Sequence, residues 1–273
     1  DGLVNLVYEI PHMLQWGTPI DVSEYMQWSN YNRNILEGQK KVDIPNCVTV
    51  MPMAGQGSRF SKEGYEVPKP CIPVNGSFMF LQALKCLPNT SDLFFASLTS
   101  RKDLFDLEKY GKVEWLDDVL EGQACTTERI VNHISDPNMS FLVSACDNGI
   151  LYDSDKFLDL ANDSDNDIIV WSYRNNFTSY RNPNAYSWLD VDNENIVRKV
   201  NVKDFRGVNP LDEYAIVGTM FFRNKEIFNN SLKKLYEKNI RTNGEFYIDN
   251  LLNEAIQLGY IVRNFEVDEF ICW

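Results

Sequence analysis

Residues 47–60, CVTVMPMAGQGSRF, decide the fold. The run CVTVMPMA is apolar and β-branched, and it turns directly into GQGSRF, which reads as a buried strand leaving into a glycine loop. Working outward, residues 77–87 (SFMFLQALKCL) carry helical spacing with Ser77 as N-cap. Residues 91–100 read as a second strand, DLFDLEKY at 103–110 as a helix, and 141–148 (FLVSACDN) as a buried strand ending in a carboxylate. IIVWSY at 168–173 continues the series. Strands alternating with helices predict an α/β fold around a mostly parallel sheet.

The chain has 273 residues and a net charge of −13, with 44% hydrophobic and 24% charged residues. This is the composition of a globular protein with material for a full core. No apolar run approaches the ~18–20 residues that span a bilayer. A pI near 4.6 without a basic patch argues against nucleic acid as a partner. Six scattered cysteines without a C-x-x-C pair, and only two histidines, give no zinc site and fit a reducing cytoplasm.

The later chain changes character. Residues 185–200 read as a β-hairpin turning at Asn193–Asn195, 214–223 as a strand, 245–259 as a periodic helix stopped at Gly259, and 260–273 as a closing strand. The polar stretch 29–46 reads as a linker. One internal echo stands out. LVNLVYEIPHMLQW (3–16) lies on YIVRNFEVDEFICW (260–273) without a gap, matching Tyr8 with Phe265, Glu9 with Glu266 and Trp16 with Trp273. Residues 1–28 therefore read as a repeat-like tail segment, a WGTP turn plus helix, ahead of a main domain over 47–273. The echo suggests that the chain is cut from a longer protein with repeated elements.

The chemistry sits in Met53-Ala-Gly-Gln-Gly-Ser-Arg-Phe60, followed nine residues after Phe60 by Lys69 within Pro68-Lys69-Pro70. Gly55 and Gly57 permit close backbone approach, and successive N–H groups in such a turn form an anion nest. Arg59 offers a fork of donors to phosphate, and Lys69 a second positive charge. A G-x-G alone is equally a tight strand-to-helix turn; Arg59 and the P-K-P are what point to anion binding. There is no Walker A Gly-Lys-Ser/Thr and no third glycine of the dinucleotide fingerprint.

The stretch VMPMAGQGSRFSKEGYEVPKPCIPVNG resembles the signature of the nucleotidyltransferase superfamily, which includes sugar-1-phosphate nucleotidylyltransferases and CTP-dependent phosphocholine cytidylyltransferases. The resemblance extends over 47–273. It implies a Rossmann-like, three-layer (GT-A-like) fold with a mixed, mostly parallel central sheet. It also implies attack by a substrate phosphate on the α-phosphorus of an NTP, with pyrophosphate leaving.

Carried onto this sequence, the resemblance places Met53, Ala54, Gly55, Gly57 and Ser58 around the nucleotide, with Arg59 and Lys69 stabilising the transferring group. Glu121-Gly122-Gln123 matches a second nucleotide-contacting loop, where Gly122 allows close approach and Gln123 reads a base edge; its plainer reading is a helix N-terminus. Asp147 stands at the family's metal-binding aspartate, for Mg²⁺. Lys203, Gly218 and Glu245 match acceptor-side positions, although Val202 replaces the glutamate that usually precedes the lysine. A second metal-binding Asp is expected where this chain has Gln15 in the first copy of the echo and Cys272 in the second. Unless Asp268 or Glu269 substitutes from nearby, either the site works with one protein carboxylate or its chemistry is altered.

Other readings stay open. Asp190-Val-Asp192 could be the metal motif of a GT-A glycosyltransferase, and the missing carboxylate would suit a nucleotide-binding pseudoenzyme. A CTP-dependent enzyme acting on phosphocholine is a further alternative. The acidic stretch 147–167 lacks the glycine and glutamate of an EF-hand and reads as solvated surface. The expected partners are an NTP and a phosphorylated small molecule of glycan-precursor type, with either a homo-oligomer or docking of 1–28 on a nucleotidyltransferase domain.

Overall fold

The computed structural model describes residues 13–14, 16–37 and 39–273, and the chain divides into two compact units at Gly38/Gln39. The segment 1–12 and Gln15, which carry most of the first copy of the echo, lie outside the described residues.

In the first unit, helix α1 (Pro19–Glu37) follows the Gly17-Thr18 bend. Its start is built locally. Pro19 stands at the first helical position, and the Thr18 Oγ1 hydroxyl donates to Asp21 Oδ2 at 2.8 Å while accepting from the Asp21 N–H at 3.3 Å. Residues 29–37, which read as the start of a linker, continue this helix instead, because the stretch holds no glycine or proline to stop it.

The second unit runs in chain order through β1 (Cys47–Pro52), α2 (Ser58–Lys62), β2 (Pro73–Val74), β3 (Ser77–Phe78), α3 (Met79–Lys85), β4 (Asp92–Leu98), β5 (Lys112–Leu116), α4 (Gln123–Val131), β6 (Ser140–Ser144) and β7 (Asn148–Leu151). It continues with α5 (Ser154–Asn162), β8 (Ile168–Tyr173), α6 (Phe177–Arg181), β9 (Trp188–Val191), β10 (Val197–Asn201), β11 (Tyr214–Phe222), α7 (Lys225–Glu237), α8 (Ile248–Gln257), β12 (Val262–Glu266) and β13 (Glu269–Cys272).

Along the run β5-β4-β1-β6-β11-β8-β12 of the nine-stranded central sheet, every strand points the same way except β11. The β9–β10 hairpin adds to one half of β11. Strands β1, β6 and β8 are buried almost throughout, as expected where helices cover both faces. One face packs Val48, Val50, Phe141 and Val143 against Ile130, Phe228, Leu251 and Ala255 of α4, α7 and α8. The other meets α3 and α5: Phe80 lies 6.0 Å from Phe95, and Phe157 4.7 Å from Trp171. The expected three-layer α/β architecture with a mixed, mostly parallel sheet is the one observed.

Several local readings change. Ser77 does not cap a helix; it pairs with Val74 across a turn at Asn75 and Gly76, both at positive φ, and α3 begins two residues later. The 103–110 segment forms short 3₁₀ turns rather than an α-helix. The strand read over 141–148 breaks after Ser144, and Asn148–Leu151 joins a separate pair with β13. The closing segment likewise splits, since β12 lies parallel to β8 while β13 crosses to β7. The acidic stretch contains α5, capped by Asp153, whose carboxylate accepts from the Lys156 N–H, with Phe157 and Ala161 buried beneath.

Candidate active site

Strand β1 lies between β4 and β6, so its carboxyl end opens where ligands bind in sheets of this kind. The ladder extends one residue beyond the strand, through Met53 N–H to Ala96 O at 2.8 Å. The chain then turns through Gly55 and Gly57. Gly57 adopts φ 64°, and a Cβ there would press on the Lys69 Cβ at 3.2 Å, so glycine serves both the turn and the seating of the lysine.

Lys69 projects from a 3₁₀ turn bracketed by prolines. Its ammonium donates to Asp147 Oδ2, and the two side chains are 24% and 15% exposed. The Phe60 ring lies beneath the ammonium, 5.6 Å from its nitrogen. Burial opposes charge on Lys69, but the Asp147 carboxylate outweighs it and the pKa is raised. Asp147 sits just past β6; its backbone oxygen accepts from Trp273 N–H at 2.9 Å, and Cys272 Sγ is 3.8 Å from Asp147 Oδ2. Burial raises the neighbouring Cys146 thiol to about 12, leaving it a neutral wall.

The opposite wall is formed by the start of α4 and the turn before α8. Phe246 N–H donates to Glu121 O at 2.8 Å, and Ala124 N–H donates to Phe246 O at 3.0 Å. Between them lies Gly122 at φ 143°, where a Cβ would fall 2.5 Å from Phe246 O. The close approach that Gly122 permits in this structure is to the Phe246 backbone. Arg241 stacks 3.8 Å over the Phe246 ring and pairs with Glu121, closing the junction.

These walls bound one cleft of about 490 Å³. Met53, Ala54, Gly55, Gly57, Ser58, Arg59, Lys69, Gly122, Gln123, Asp147 and Glu245 all line it. Lys203 and Gly218 do not. Gly218 stands in a bulge of β11, its carbonyl accepting from the N–H of the cleft residue Ala145 at 3.1 Å. Lys203 donates to Ala185 O and lies 5.9 Å from the ring of Tyr247, itself a lining residue. Near Lys203, Asp249 accepts from Ser187 Oγ at 2.5 Å; burial raises its pKa, with Lys203 and Ser187 pulling the other way.

The Asp190-Val-Asp192 motif is spent on structure. Asp192 accepts the N–H groups of Glu194 and Ile196 and pairs with Arg198, and Asp190 accepts from Asn201 at 3.0 Å. Among the described residues no three His, Cys, Asp or Glu side chains converge as a metal site. Asp147, with the Cys272 thiol beside it, fits Mg²⁺ only in the mode where one carboxylate joins substrate oxygens and water.

Two contributors carried no recognisable signal. Arg101, buried beyond β4, donates to Met53 O and Gly55 O at 2.9 and 2.8 Å. Phe246 acts through its backbone. Both roles depend on carbonyl positions that residue spacing does not encode.

No family model matches the sequence, and no curated protein matches it. Solved structures do. A nucleoside-diphosphate-sugar pyrophosphorylase from Vibrio cholerae is 22% identical at a TM-score of 0.64, over 82% of this chain and 94% of that one. An inositol-1-phosphate CTP transferase from T. maritima is 18% identical at a TM-score of 0.61, over 80% of this chain and 84% of its own. At these identities the likeness defines the architecture: the chain is built on the fold shared by these nucleotidyltransferases.

Proposed function

We propose that the chain is a nucleotidyltransferase that transfers a nucleoside monophosphate from an NTP to a phosphorylated small molecule, in the first instance a sugar 1-phosphate. The observation that carries this reading is the convergence of the glycine loop, Arg59, Lys69 and Asp147 on one cleft at the carboxyl end of β1. An acceptor phosphate oxygen attacks the α-phosphorus, the bond from that phosphorus to the bridging oxygen breaks, and pyrophosphate leaves with the electron pair. In a chain of net charge −13, Arg59 and Lys69 supply the positive charge that a polyphosphate needs. Lys69 and the loop N–H groups meet charge that grows in the transition state, so the work is positioning and electrostatics. Asp147 would hold Mg²⁺, which supplies neutralisation of the phosphate oxygens. Such a product would serve surface-glycan precursor synthesis.

A pyrophosphate-release screen tests this, crossing ATP, CTP, GTP, UTP and dTTP with sugar 1-phosphates, inositol 1-phosphate and phosphocholine. Release that requires both partners supports the reading, and the active pair identifies base and acceptor. The CTP arm with inositol 1-phosphate or phosphocholine is motivated by the likeness to the T. maritima enzyme. Nucleotide binding without turnover across the panel would replace the proposal with a nucleotide-binding pseudoenzyme.

A further inference from the structure

Strand β4 pairs in parallel with β1, and its register brings Ala96 opposite Pro52. The chain that leaves β4 therefore passes directly beside the glycine loop. Arg101 lies on that passage, 8% exposed, and its guanidinium forks onto two alternate carbonyls, Met53 O through Nη1 and Gly55 O through Nη2.

The geometry of the peptide gives this fork a consequence. No cis peptide occurs among the described residues, and in a trans peptide the C=O and the following N–H point in opposite directions. Holding the carbonyls of residues 53 and 55 on the Arg101 side turns the N–H groups of Ala54 and Gln56 away from it, toward the cleft those residues line. Neither N–H donates to a group among the described residues. A buried positive charge behind the two carbonyls also polarises their peptides, which strengthens the outward N–H groups as donors.

We infer that Arg101 is a positioning residue for nucleotide phosphates: it touches the loop and not the ligand, and it sets the loop's amides as an anion nest. This rests on the reading of the cleft as the nucleotide site. Arginine suits the task for two reasons. Its planar fork can serve two acceptors at once, and it stays charged when buried, where burial lowers its pKa from a high starting value. Lysine would keep the charge but lose the fork.

The test compares wild type, Arg101→Met and Arg101→Lys, using calorimetric titration with Mg²⁺ and each NTP, with inorganic tripolyphosphate as the base-free probe. Steady-state kinetics on the active pair and circular dichroism of every variant complete it. For Arg101→Met the nucleotide KM and Kd rise at least about tenfold while the acceptor KM stays within about twofold, and Arg101→Lys falls between. Tripolyphosphate binding weakens in parallel, since the nest recognises phosphate and not base. A general packing role would raise both KM values together. Overturning results are an unchanged nucleotide Kd in folded Arg101→Met, or an equal rise in both KM values. If Arg101→Met fails to fold, a folded Arg101→Lys with wild-type nucleotide KM overturns it equally. Wild-type protein that binds no nucleotide would instead sink the reading of the cleft itself.

Discussion

Lys69 and Asp147, 78 residues apart in sequence, share one ion pair at the floor of the cleft. This cation–carboxylate contact thus joins the proposed phosphate-binding lysine to the proposed metal-binding aspartate. Lys69→Met and Asp147→Asn are each expected to reduce turnover by about 10²–10³-fold. The double variant should be much less than multiplicatively worse, since the groups act as one unit. Pyrophosphate release measured on folded variants checks this, and full activity in either single variant refutes the assignment of roles.

The same pairing makes Lys69 a competitor for any cation that seeks Asp147. Mn²⁺ titration followed by electron paramagnetic resonance, without nucleotide, should show weak binding to wild type and tighter binding to Lys69→Met. Cys272→Asp, which sets a second carboxylate near Asp147, should raise Mn²⁺ affinity by about tenfold or more, while Cys272→Ser should not. An unmoved affinity in Cys272→Asp would mean that position 272 does not face the ion.

Gly122 is tested by a single methyl group. A Cβ there meets Phe246 O at 2.5 Å and Phe246 N at 2.6 Å from a backbone at φ 143°. Gly122→Ala should cost about 2–4 kcal/mol, read as a lower denaturation midpoint with unchanged m-value. Gly55→Ala, where a Cβ meets nothing within 4 Å, should leave that midpoint nearly unmoved.

Asp249 supplies a pH prediction. Its pKa is raised above the ordinary 3.8, chiefly by burial, so the folded state holds the proton where the unfolded chain has released it. Stability linked to this group is therefore fully present below pH 3.8 and declines as pH rises toward the folded pKa. Asp249→Asn removes that decline. Urea unfolding across pH 4–8 should show the variant gaining on wild type as pH rises, and a constant difference would contradict the burial argument.

What could be read from sequence was what is local. The glycine loop and P-K-P lie within 23 residues of β1's start and announce themselves by spacing, and Asp147 by its place after an apolar run. The hairpin at Asn75-Gly76 was also legible as an N-G turn, yet the helical periodicity from Ser77 onward concealed it. Strand ends failed where the chain changes sheets. Apolar residues continue on either side of Ala145–Asp147 and of Val267–Asp268, so composition alone marks no boundary there. Helix α5 was obscured by its aspartates and those around it, which leave only Phe157, Leu158, Leu160 and Ala161 as apolar residues in it. Arg101 was invisible because its partners are backbone oxygens of the loop that follows β1.

The Gly122–Phe246 junction bears on how such a cleft diversifies. Two elements more than 120 residues apart build one wall together, Gln123 and Thr126 from one and Glu245 and Tyr247 from the other, and they are fastened peptide to peptide. Neither can be lengthened, shortened or re-aimed without unfastening its counterpart. Descent with new specificity must therefore proceed by side-chain exchange on a fixed frame, or by replacing both turns together. A chimera that inherits one turn without the other would not inherit the wall.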